Sequence, residues 1–73
     1  MTINFSTMPK REYEILKAYE NGNYIMNEEV EKVLLKYAST GDVSFGFLSN
    51  TAKLTEMGEK TLRNAEMLGF EDN

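Results

Sequence analysis

The sequence predicts an α+β fold of three helices and a β-hairpin, and three observations carry that prediction. Apolar residues recur at helical spacing in three separate stretches of the 73 residues. The period switches to two after Val43. Between these segments stand Asn, Thr and Gly residues of the kind that start and stop helices. A chain of this length holds one small domain, residues 1–73.

The elements follow in order. Ile3 and Phe5 alternate with polar residues, which permits a short terminal strand. Ser6 or Thr7 is placed to cap a first helix over residues 8–21, with Pro9 in its first turn. Met8, Ile15, Leu16 and Tyr19 share one face of that helix, and Asn21-Gly22 supplies a left-handed stop. Tyr24-Ile25-Met26 reads as a short strand. Asn27 then caps a second helix over 28–39, whose opening Glu28 and Glu29 complement the helix dipole. Val30, Val33, Leu34 and Tyr37 repeat at i, i+3, i+4, i+7 along it.

Val43, Phe45 and Phe47 alternate with Ser44 and Gly46, Ser49-Asn50 breaks the run, and Thr51 to Leu54 return as the second arm of a hairpin. Thr55 caps a third helix carrying Met57, Thr61, Leu62, Ala65 and Leu68. Gly69 closes it, Phe70 is free to fold back, and Glu71-Asp72-Asn73 form a solvated tail. The expected core is Ile15, Leu16, Tyr19, Val30, Val33, Leu34, Tyr37, Leu54, Leu62, Ala65 and Leu68.

Composition narrows the function. There is no His, Cys or Trp. That removes disulfides, His/Cys metal sites, thiol nucleophiles and imidazole bases, so the expected protein is not an enzyme and carries no cofactor or metal. Glu28, Glu29 and Glu31 suggest a carboxylate pair for acid-base work, but dipole-complementing charges in a first helical turn explain them better. No export signal or membrane-length apolar run is visible, so the expected setting is the cytoplasm.

The run Leu54-Thr55-Glu56-Met57-Gly58-Glu59-Lys60-Thr61-Leu62 resembles the L-T-x-x-G-x-x-x-L pattern that follows the wing in many bacterial winged-helix proteins, among them small regulators of the multiple-antibiotic-resistance and phenolic-acid repressor types and short phage-associated proteins. Arg11 to Lys17, followed by Asn21 to Ile25, is similar to the opening helix and first strand of that family. Together these segments cover roughly half the chain. The resemblance implies a reduced winged-helix-like scaffold and a small bacterial or phage regulatory protein in transcription or replication control. Gly58 would then let the third helix approach a neighbouring backbone closely. The twenty residues from Asn23 to Asp42, where the family keeps its helix-turn-helix, hold one clear helix.

Charge pulls against DNA reading. The sequence has 12 acidic and 8 basic residues, a net charge of −4. The one candidate recognition helix opens with Glu28, Glu29 and Glu31, which repel phosphate. Helical spacing lets Lys10 and Arg11 pair with Glu14, Lys17 with Glu14 or Glu20, Lys32 with Glu28, Lys60 with Glu56 and Arg63 with Glu59. Only Lys36 and Lys53 lack such a partner. The resemblance implies these two as the best phosphate contacts, Lys36 near the end of the second helix and Lys53 near the wing tip, with Asn50 as a further nucleic-acid contact. Phe45-Gly46-Phe47-Leu48 overlaps the aromatic core of an RNA-recognition strand, though alternating core aromatics account for it more simply.

A second reading follows from composition. Between Val43 and Thr55 the only charge is Lys53, while Phe45, Phe47 and Leu48 concentrate apolar area. That hairpin and the Glu28-Glu29-Glu31 cluster suit a protein interface or a homodimer. On this reading the chain is an acidic interaction module or inhibitor, with its carboxylates seated in a partner's basic cleft as a DNA mimic and no DNA bound.

Overall fold

A computed structural model describes residues 8–46 and 49–70. Three helices and a three-stranded antiparallel sheet run in the order α1 (Lys10–Ala18), β1 (Asn23–Tyr24), α2 (Glu28–Ala38), β2 (Val43–Phe45), β3 (Thr51–Leu54) and α3 (Glu56–Leu68). The expected strand at Ile3 and Phe5 and the Ser6 or Thr7 cap lie outside the described residues.

Helix α1 is shorter than its apolar pattern. Pro9 is the N-cap, in extended geometry and without a side-chain cap bond, so the helix starts at Lys10 rather than residue 8. At the other end Tyr19 leaves the helical region with φ −106 and ψ 10. Its carbonyl accepts from Gly22 N at 3.1 Å and from Leu54 N on β3 at 3.1 Å. An acceptor bonded to a strand is no longer available to continue the helix, so α1 ends at Ala18 rather than residue 21. Gly22, at φ +93, makes the reversal into β1.

The Tyr19 ring is 1% exposed and its hydroxyl is fully used, donating to Tyr24 O at 2.6 Å and accepting from Met26 N at 3.3 Å. The strand expected at residues 24–26 accordingly sits at Asn23–Tyr24, and the chain turns beyond it towards α2. Asn27 caps α2 by accepting from Val30 N at 2.9 Å. Thr55 caps α3 by accepting from Gly58 N at 3.1 Å, while its own hydroxyl donates to Gly41 O at 2.6 Å. Both caps stand where the sequence places them.

The sheet order is β1-β3-β2. In the hairpin Val43 lies opposite Leu54, Ser44 opposite Lys53 and Phe45 opposite Ala52; β1 pairs Asn23 with Ala52 and Tyr24 with Thr51. Val43, Ala52 and Leu54 are buried against the helices, and Ser44 and Lys53 face outward. The core joins Met8, Leu16, Tyr19, Leu34, Val43, Ala52, Leu54, Leu62 and Ala65, with Val33 also buried. Ile15, Val30 and Tyr37 pack on it half-buried. Leu68 does not belong to it: at 53% exposure it keeps the helical phase of the core residues but lies at the last turn of α3, past the packed part of the helix. Phe70 folds back onto Tyr13, ring centroids 4.9 Å apart.

Gly58 is buried where α3 crosses the start of β2. A Cβ there would lie 2.1 Å from the Asp42 carbonyl oxygen, so no side chain fits at this separation of the two backbones.

Candidate interaction surface

The first turn of α2 projects carboxylates from a helix N-terminus. Glu28 and Glu29 are exposed and Glu31 is half-buried. Glu29 is joined by Arg11 of α1 across 2.8 Å, both side chains more than half exposed. Among the described residues Glu28 and Glu31 have no ion-pair partner. The dipole of α2 stabilises these charges locally, so they stand there at little cost to the fold.

Lys17 lies by Glu20 as its spacing suggests, but other basic residues depart from the helical-spacing expectation. Lys36 reaches 24 residues back to Glu12 of α1, with Nζ 3.1 and 3.2 Å from the two carboxylate oxygens. The Tyr37 hydroxyl donates to the same carboxylate at 2.7 Å, and Glu12 is only 14% exposed. Arg11 turns to Glu29 instead of Glu14. Arg63 bonds Glu20 and Glu66 rather than Glu59, and Lys17 lies 3.9 Å from Glu20 and 3.9 Å from Glu66. Lys32 and Lys60, expected to pair with Glu28 and Glu56, form no ion pair among the described residues. Interhelical pairs stand beside the local i,i+3 pairs Lys17–Glu20 and Arg63–Glu66 because α1 packs against both α2 and α3.

Tyr13 completes the α1–α3 cluster. Its hydroxyl donates to Glu66, and this bond, with Arg63 and Lys17 nearby, holds the Glu66 carboxyl below its ordinary value despite some desolvation. The same bond raises the Tyr13 phenol above its ordinary value. The Arg63 guanidinium is raised in turn, chiefly by its bond to Glu20.

The three expected nucleic-acid contacts are held separately. Lys36 is engaged by Glu12. Asn50 is tied to the segment after β1: its carbonyl accepts from Ile25 N at 2.9 Å and its side-chain amide donates to Ile25 O at 3.4 Å. Lys53, the remaining one of the three, forms no ion pair among the described residues. It stands on the outer sheet face, beside Ser44 and the 71% exposed Tyr24, along a concavity of about 500 Å³. Of the expected interface residues, Phe45 is half-buried and packs against the core, while Phe47 and Leu48 lie outside the described residues.

One polar residue went unnoticed in the sequence. Asp42, 6% exposed, is the buried charge of the described core. Its Oδ2 accepts from the Thr40 hydroxyl at 2.7 Å and its Oδ1 from the Thr61 hydroxyl at 2.9 Å, so it joins the α2–β2 corner to α3. A lone Asp after Gly reads as a turn residue; only a Thr one turn into the next helix hints at a partner.

Among the described residues no group of three or more His, Cys, Asp or Glu is placed to hold a metal ion, and no helix is long and apolar enough to cross a membrane. No family model, no curated protein and no solved structure matches the chain.

Proposed function

We propose that this chain is a small non-enzymatic regulatory protein that acts by binding another protein, with the carboxylate-rich start of α2 presented to a basic surface of the partner. The observation that carries this reading is the fate of the charges. Glu28 and Glu31 stand at a helix N-terminus with no ion-pair partner among the described residues, while Lys36, the expected nucleic-acid contact on the same helix, is drawn to Glu12. A partner with an exposed Lys or Arg cluster gains attraction and faster encounter from such a patch. An inhibitor that occupies a nucleic-acid-binding cleft is the form this takes in transcription or replication control of the bacterial or phage type implied by the winged-helix resemblance.

The second reading, direct DNA contact by the winged-helix-like scaffold, is favoured by one observation. Lys53 is unpaired among the described residues and sits beside exposed Tyr24 on the hairpin face.

Titration of labelled duplex DNA separates the two. Binding absent even at about 50 mM salt, where phosphate contacts are strongest, supports the protein-binding reading. Salt-sensitive binding that Lys36→Ala and Lys53→Ala weaken together overturns it in favour of the second. Capture of one host protein at saturable stoichiometry, lost in Glu28→Lys/Glu31→Lys, completes the test.

A further inference from the structure

The Asp42 carboxylate is held by two hydroxyls and by no cation among the described residues. Each of its oxygens takes a hydroxyl, but each hydroxyl has a competing acceptor: Thr40 Oγ1 also lies 2.9 Å from Tyr37 O, and Thr61 Oγ1 3.0 Å from Met57 O. A hydroxyl donates one proton, so each carboxylate oxygen has at most one donor, whereas Tyr37 O is also served by Asp42 N–H at 2.9 Å. No backbone N–H and no cation reaches the carboxylate among the described residues. A buried negative charge without a counter-charge is costly, and proteins ordinarily pair it.

This carboxylate also lines a cavity of about 360 Å³, together with Thr40 and Thr61, the Tyr37 side chain and exposed Asn64. The Tyr37 hydroxyl gives its proton to Glu12, so it adds none here. Among the described residues the remaining wall is apolar, from Met8 and Ala65. The space exceeds the roughly 30 Å³ share of one water. One carboxylate among hydroxyls is a poor set for a divalent ion, which gathers several charged oxygens at short range.

We propose that this cavity binds a primary alkylammonium group, with the ammonium on Asp42, Thr40 and Thr61 and the alkyl chain between Met8 and Ala65. One positive charge supplies the counter-charge that Asp42 lacks among the described residues, the N–H donors reach its oxygens and the two hydroxyl oxygens, and the apolar wall takes the methylenes. A small free amine and the side chain of a lysine in a bound peptide share this chemistry. The proposal stands apart from the α2 carboxylates and does not depend on the partner proposed for them.

The test is an amide NMR titration of the full chain with n-butylammonium chloride, against tetramethylammonium chloride and NaCl at matched ionic strength. Saturable shifts at Thr40, Asp42, Thr61 and Asn64, with an apparent Kd on the order of 1–10 mM, are expected for butylammonium alone. Asp42→Asn is expected to weaken binding about tenfold or more. Asn64→Leu narrows the cavity from an exposed position, and it is expected to weaken binding several-fold with the fold intact even if Asp42→Asn fails to fold. A parallel titration with N-acetyl-lysine methylamide distinguishes the sources: binding of both probes supports a lysine side chain, and binding of butylammonium alone supports a free amine. The proposal is overturned by shifts that salt or tetramethylammonium reproduces, by wild-type affinity in both variants, or by no saturation up to about 100 mM.

Discussion

Replacing Gly58 with Ala should destabilise this protein, although in an exposed helix interior the same change gains about 1 kcal/mol. The Cβ would lie 2.1 Å from the Asp42 carbonyl oxygen, 3.0 Å from its carbonyl carbon and 3.3 Å from Leu54 Cβ. The first two are backbone atoms, so no rotamer change relieves the contact. The oxygen is moreover fixed by Thr55 N–H at 3.0 Å. To reach an ordinary contact α3 must move off β2 by roughly 1 Å, an overpacking strain of about 1–3 kcal/mol. That movement also strains the Thr55–Asp42 hydrogen bond and the Thr55 cap, at about 1 kcal/mol each. After the helix-propensity gain, the net loss is about 2–4 kcal/mol. A core of this size rarely supplies more than about 3–5 kcal/mol, so the melting temperature should fall by on the order of 10 °C or more. Urea denaturation followed by far-ultraviolet circular dichroism measures it, with Met67→Ala, 80% exposed on the same helix, as a control expected within about 0.5 kcal/mol of wild type. A Gly58→Ala midpoint equal to or above wild type, with an unchanged m-value, would refute the close-approach reasoning.

Three further outcomes are expected. Thr55→Ala removes both the acceptor for Gly58 N and the donor to Gly41 O, and should cost about 1–2 kcal/mol in the same urea assay, with Thr55→Ser recovering most of it. Tyr19→Phe leaves the ring buried but strips Tyr24 O and Met26 N of their shared hydroxyl; a loss of about 1–3 kcal/mol is expected, with faster amide exchange at Met26. Glu66 has a folded-state value below its ordinary one, so its stabilisation is present above the ordinary carboxylate range and is lost as pH falls through the folded value. Tyr13, raised above its ordinary value, contributes below pH 10.0 and loses that contribution as pH rises through its folded value. Carboxyl NMR titration of Tyr13→Phe should show Glu66 moving up towards the ordinary range; an unmoved Glu66 would mean that Tyr13 is not its main support.

The parts of the fold that were legible in the sequence are those set by neighbours in the chain. Asn27 and Thr55 cap helices by reaching three residues ahead, so both starts stand where the residues suggest. The end of α1 was not legible, because Tyr19 is withdrawn from the helix by Leu54, 35 residues on, and a periodicity contains no such partner. Leu68 misleads in the opposite sense, since it keeps the phase of the core beyond the point where there is anything to pack against. The same division governs the candidate surface. The carboxylates of α2 are plain in the sequence, but the loss of Lys36 to Glu12 and the burial of Asp42 under Thr61 depend on how helices meet.

The sheet order also constrains when the structure can exist. The middle strand, β3, is the last of the three to be synthesised, and among the described strands both β1 and β2 pair only with it. A nascent chain that has emerged as far as Ser49 carries two strand segments with no sheet to join, and Tyr19 has no Leu54 amide to bond. Sheet and core therefore close together, after β3 and α3 arrive. A fragment cut before Thr51 should behave as isolated helical segments rather than as a smaller version of the domain.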